Sequence, residues 1–141
     1  MQGDRALMEW YEKGLAKMPR PIGSNGWSCE AWSGKQGNTQ FSVVWARLHG
    51  TGGGLPVSVV DDTFAMIARR SSDMKENETP GAAGSGYGVG KAYQGENARL
   101  FIRVGTMGSV LYVVSVRGDD SLGINDPYLR AFFDGFEPIA R

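Results

Sequence analysis

Four side chains in one short loop could do chemistry. Asp119, Asp120, Asn125 and Asp126, within Gly118-Asp119-Asp120-Ser121-Leu122-Gly123-Ile124-Asn125-Asp126, offer the hard oxygen ligands that calcium takes. Their order is not that of an EF-hand, which alternates acidic or amide residues and closes on a Glu. Turn formation and helix capping explain the same residues more simply. Asp119, Asp120 and Asp126 therefore stand as candidates for a divalent metal or small ligand, and no metal, cofactor or catalytic residue is assigned from them.

The other chemistry-bearing residues are single. His49 is the only histidine, which excludes sites needing two imidazoles and places any Ser-His-Asp triad around this one residue, which reads as an exposed histidine in the Gly-rich loop His49 to Pro56. Cys29 is the only cysteine, so no internal disulfide and no thiolate cluster can form. It lies in Trp27-Ser28-Cys29-Glu30-Ala31-Trp32, whose alternation places Cys29 with Trp27 and Ala31 on an inward face, and Trp32 on the opposite one. The run Gly84-Ser85-Gly86-Tyr87-Gly88-Val89-Gly90-Lys91-Ala92 superficially resembles a phosphate-binding loop. Its spacing fails, because Ser85 stands where the first Gly is needed and Ala92 where a Ser or Thr must follow the Lys. The four tryptophans, Trp10, Trp27, Trp32 and Trp45, read as core aromatics, with Trp32 the one best placed to act as a stacking surface.

Periodicity gives the elements that must position these groups. Leu7, Trp10, Tyr11 and Met18 recur at helical spacing between Asp4, an N-cap residue, and Pro19, with Gly14 as the discordant residue. Trp27 to Trp32 and Gln40 to Leu48 read as a hairpin joined by the polar stretch Ser33 to Thr39. A second helix spans about Val57 to Ser72, with Val60, Phe64, Ile67 and Ala68 on its inner face.

Residues 71–90 are polar and Gly-rich, the expected mobile part of the chain, with a short strand within Tyr87 to Gln94. Ala98 to Val104 alternates, which directs Leu100, Ile102 and Val104 inward and Arg99, Phe101 and Arg103 outward. A Gly105-Thr106-Met107-Gly108 turn leads into Val110 to Arg117, apolar at almost every position and therefore expected in the middle of a sheet covered on both faces. Asp126 then caps a helix with Pro127 in its first turn, Leu129, Phe132, Phe133 and Phe136 on one face, and Gly135 near its end.

A chain of 141 residues with Lys+Arg 15 and Asp+Glu 15 fits one domain, without a global charge to draw it to nucleic acid. No run approaches the roughly 20 apolar residues of a membrane span. The first residues lack the apolar core of a signal peptide, which leaves two settings open: cytoplasmic, or envelope-associated if a leader has been removed. The fold class is α+β, a central antiparallel sheet flanked by helices on both faces, in a single domain over 1–141, with an N-terminal helix and turn over 1–25.

The run Arg99-Leu100-Phe101-Ile102-Arg103-Val104, then Leu111-Tyr112-Val113-Val114-Ser115-Val116, then Phe132-Phe133-Asp134-Gly135-Phe136 resembles the C-terminal half of the Mog1/PsbP-like superfamily. The family pattern is a strand, a strand with an L-Y step, and a helix ending F-x-x-S-F, here with Gly135 in place of the Ser. The likeness extends more faintly to Gly26-Trp27-Ser28-Cys29-Glu30 and Phe41-Ser42-Val43-Val44-Trp45, so it covers 26–137. It implies an αβα sandwich and carries no catalytic residue. Members include photosystem II extrinsic subunits, a Ran-binding nuclear import factor and bacterial envelope proteins. The resemblance, with the lack of a catalytic motif, leads to the expectation of a non-enzymatic protein-binding or accessory module that meets its partner through a sheet edge or the segment 71–90. A small-molecule or metal-binding protein using Asp119, Asp120 and Asp126, or a structural subunit of a larger assembly, are the alternatives.

Overall fold

Two long hairpins build the sheet. A computed structural model describes residues 1–19, 21–50, 54–56, 58–77, 88–123 and 126–135. The first hairpin pairs β2 (Gly26–Gln36) with β3 (Thr39–His49), and the second pairs β6 (Ala98–Met107) with β7 (Val110–Asp119). Short strands β1 (Gln2–Gly3), β4 (Lys75–Asn77) and β5 (Val89–Gln94) complete a seven-stranded antiparallel sheet in the order β1-β2-β3-β7-β6-β5-β4. β7 occupies the middle, where its run of apolar residues, interrupted only by Ser115, belongs. The helices are α1 (Arg5–Ala16), α2 (Ser58–Arg70) and α3 (Pro127–Gly135).

The hairpins are tighter than their sequences imply. The expected seven-residue turn over Ser33 to Thr39 shrinks to Gly37-Asn38, and the expected Gly105–Gly108 turn to Gly108-Ser109. In each, the first turn residue is a glycine at φ +61°. The ladder is a backbone structure, so Ser33, Gly34, Lys35 and Gln36 extend it at the hairpin's end despite their polarity.

Alternate residues of each strand separate two apolar clusters. Val44, Ala46, Leu111, Val113, Ile102 and Val104 pack with Tyr11 and Leu15 of α1 and with Val59, Phe64, Met66 and Ile67 of α2. Their neighbours in sequence, Phe101, Tyr112, Val114 and Val116, pack with Leu129 and Phe133 of α3. The α2 face is rotated relative to its sequence reading: Val59, Thr63 and Met66 are buried and Ala68 is exposed. The buried Thr63 hydroxyl is satisfied by donating to the Val59 carbonyl at 2.6 Å.

The outward assignment of Phe101 and Arg103 is overturned by this second cluster, while Arg99 on the same face stays half-buried. Phe101 and Arg103 are 0% and 2% exposed. Arg103 lies under α3, its Nη1 donating to the Phe133 carbonyl at 3.1 Å and its guanidinium 5.2 Å from the Phe133 ring. A cation is thus placed at a helix C-terminus, where carbonyls lack intrahelical donors and the dipole is negative. Burial draws its pKa below the ordinary Arg value, opposed by Tyr112 and Asp134. Arg99 donates to the Leu122 carbonyl at 2.8 Å and ties down the loop after β7.

Gly14, discordant in a helix by propensity, is where α1 meets α2. A Cβ there would lie 2.2 Å from Met66 Sδ, so the missing side chain is what admits the contact. At the start of α1, Asp4 Oδ1 accepts from the Leu7 amide at 3.0 Å, and Oδ2 accepts from Ser33 Oγ at 2.8 Å. The Leu7 bond first, then the Ser33 bond, lowers the Asp4 pKa. Asp4→Ala should therefore cost about 1 kcal/mol at neutral pH, the usual worth of an N-cap. A carboxylate with a depressed folded pKa stabilises above its unfolded value of about 3.9 and loses that contribution as pH falls through the lower folded value. Urea denaturation across pH 2 to 7 should show the wild-type advantage fading only in acid.

Part of the segment expected to be mobile is structured. Ser71 and Met74 are buried and β4 occupies 75–77, because Met74 reaches the cluster under α2. Residues 78–87, including most of the Gly84–Gly90 run, lie outside the described residues, as do Phe136 and Glu137.

Candidate functional site

The residues nominated by type separate into distinct places. Asp119, the last residue of β7, accepts at Oδ1 from the Ser121 amide at 2.9 Å and from the Ser121 hydroxyl, bonds that lower its pKa. Asp126 Oδ1 accepts from the amides of Tyr128 and Leu129 at 2.9 and 3.2 Å and so caps α3. Asp120 is exposed. Among the described residues, no three of His, Cys, Asp and Glu gather as a metal-holding group.

His49 is not a loop residue but the last residue of β3, and its Nε2 lies 2.5 Å from Ser28 Oγ. This Ser-His contact was not visible in sequence, because it needs the β2–β3 register to bring residues 21 apart together. Both residues are exposed, and among the described residues no carboxylate holds the other ring nitrogen, the group that orients a catalytic imidazole. Cys29 is 7% exposed beneath α1, and burial first, then Glu12, pushes its thiol up to about 12. At pH 8 only about one thiol in ten thousand is then ionised, so iodoacetamide should label the native protein several hundred-fold more slowly than the urea-unfolded chain. Equal rates would show Cys29 to be accessible and ionisable.

What the fold does assemble is an aromatic surface beside α3. The Asp126 cap and Pro127 start this nine-residue helix, and Leu129 and Phe133, one turn apart, anchor it. Tyr128 and Phe132, also one turn apart, then flank it on the side of β3. Phe132 meets Phe41 edge to face, with centroids 5.0 Å apart and planes at 85°. Beside this pair lies an open groove of about 310 Å³ lined by Met1, Gly34, Lys35 and Gln36 together with Phe41, Tyr128 and Phe132. Tyr128 is 60% exposed.

The same sheet face continues the strip. Val43 and Trp45 follow Phe41 at alternate positions of β3, opposite Trp32 and Glu30 of β2. All three β3 residues are half-buried, as is Trp32, which joins neither apolar cluster. The sequence singled out Trp32 by alternation. Tyr128 carried no signal, since a tyrosine in the first turn of a helix is unremarkable until β3 is known to lie beside it.

No family model, curated protein or solved structure matches the chain.

Proposed function

We propose that the protein is a non-enzymatic binding or accessory module that docks a protein partner on the aromatic strip formed by Trp32, Val43, Trp45, Phe41, Phe132 and Tyr128. The observation that carries this reading is Tyr128, an aromatic side chain 60% exposed at the mouth of a groove walled by other aromatics. Exposed apolar surface with a polar rim is costly for a protein that meets nothing, and aromatic residues dominate the energetics of protein interfaces. The exposed Lys35 and Gln36 line the groove, and the exposed Glu30 stands opposite Trp45 in the strip. The partner would present an apolar anchor to the groove and an extended or helical surface to the strip.

The resemblance of 26–137 to the Mog1/PsbP-like superfamily supports the same reading, since the better understood members bind other proteins. In co-purification from the source cells followed by affinity measurement, Trp32→Ala and Tyr128→Ala should each weaken the captured complex by about 30-fold or more, the effect of losing one dominant anchor. Unchanged affinity in both folded variants would refute the assignment. The alternative use of Asp119, Asp120 and Asp126 is tested by calorimetry with calcium, where saturable heat lost in Asp120→Asn would establish it.

A further inference from the structure

On the opposite face of the sheet, a second site rests on different residues. Along that face, paired residues of β3 and β7 change from Val44-Val113 to Ser42-Ser115 and then to Gln40-Arg117, while β6 remains apolar at Ile102 and Leu100. Ser42 and Ser115 hydrogen-bond to each other and are half-buried. Two serines fill less space than the valines of the neighbouring row, and a cleft of about 280 Å³ opens above them between α1 and α2. Leu100, Ile102 and Ile67 line its apolar part.

The charged groups around this cleft are two cations, both exposed, and one carboxylate. Arg70 and Arg117 line it, and among the described residues neither makes an ion pair. Arg70 lies 4.6 Å from the centroid of the Trp10 ring, so its planar face is occupied and its N–H edge is left to bond. The lining carboxylate, Asp4, has one oxygen engaged by the Leu7 amide and the other by Ser33. Asp119 and Lys35 belong to the adjoining cleft, which Arg117 also borders.

We infer that this cleft binds a small organic oxyanion, with a carboxylate or phosphate head held by Arg70 and Arg117 and an apolar body seated on Leu100 and Ile102. Two guanidinium groups against the single carboxylate of Asp4, which Arg70 helps to keep ionised, leave the cleft cationic and match planar oxyanions in charge and bidentate geometry. A cleft of this size takes a small ligand, and the serine pair is the feature that keeps it open.

The test is titration of the isotopically labelled protein with benzoate, phenyl phosphate and neutral benzamide, read by amide and Trp10 indole chemical shifts. Benzoate, phenyl phosphate or both should shift Trp10, Ser42 and Ser115 saturably at millimolar concentration, and the relative affinity identifies the preferred head group. Benzamide should leave those signals unmoved. Arg70→Gln/Arg117→Gln should weaken the anionic probe at least 10-fold. Ser42→Val/Ser115→Val removes both hydroxyls together and fills the cleft, so it should retain or raise the melting temperature while abolishing probe binding. Benzamide binding as tightly as benzoate, no shift from either anion at about 20 mM, or full binding by the folded valine variant would overturn the proposal. None of these outcomes depends on the aromatic strip.

Discussion

Phe133→Ala should lower the free energy of unfolding by about 3–5 kcal/mol, the range for truncating a fully buried phenylalanine. The side chain is 0% exposed and packs with Phe101, Val114 and Leu129. At nine residues α3 is too short to persist alone, so docking must hold it in helical form. The Phe133 ring does this docking, while its main-chain carbonyl, which alanine keeps, accepts from Arg103. Urea denaturation should therefore show a lower midpoint with an unchanged slope, and the remaining protein should bind a partner poorly because Tyr128 and Phe132 ride on the same helix. A loss below about 1 kcal/mol would mean that α3 is not packed on Phe101 and Arg103 as described.

Gly105→Ala should also be strongly destabilising, by about 3 kcal/mol, at the upper end of overpacking effects. In most strand interiors this substitution stabilises, because Ala loses less backbone entropy than Gly. Here the sign reverses. Gly105 pairs with Tyr112 across β6 and β7, and the Tyr112 ring lies over it: a Cβ would sit 2.3 Å from Oη and 2.4 Å from Cζ. Tyr112 is 4% exposed within the cluster under α3, so shifting the ring to make room disturbs that packing. The double variant Gly105→Ala/Tyr112→Ala should lose less than the sum of its singles, since removing the ring removes the clash. Additive losses, or a stabilised Gly105→Ala, would contradict the packing described.

These cases show what the amino-acid order discloses. The apolar run of β7 could only be central, and the Leu129, Phe132, Phe133 spacing could only be a docked helix, because both patterns follow from periodicity within one element. The burial of Arg103 was not legible, since alternation places it on a face without saying that a helix lies there. Gly14 and Gly105 were opaque for a related reason: each is small because of a residue on another element, Met66 of α2 and Tyr112 of β7, and the contact appears only once helix docking or strand register is known. The strands extended beyond their apolar centres because hydrogen-bonding backbone does not require apolar side chains.

The candidate sites divide along the same line. Asp126 could be read as a cap because capping is local, and Trp32 could be placed on the outer face because alternation is local. The groove at Tyr128 and the cleft above Ser42 and Ser115 exist only once strands distant in sequence are paired. A serine in an apolar strand looks like a weak strand residue until its neighbour across the ladder is another serine.

Docking on the aromatic strip is tested most directly by site-specific photocrosslinking in the source cells. A photoreactive phenylalanine analogue would be placed at Trp32 or Tyr128, and for comparison at Lys13 and Arg69, exposed residues of α1 and α2. The strip positions should both trap the same discrete protein, and the helix positions should trap none of it. The same product at all four positions, or a discrete product only at Lys13 and Arg69, would contradict docking on this face.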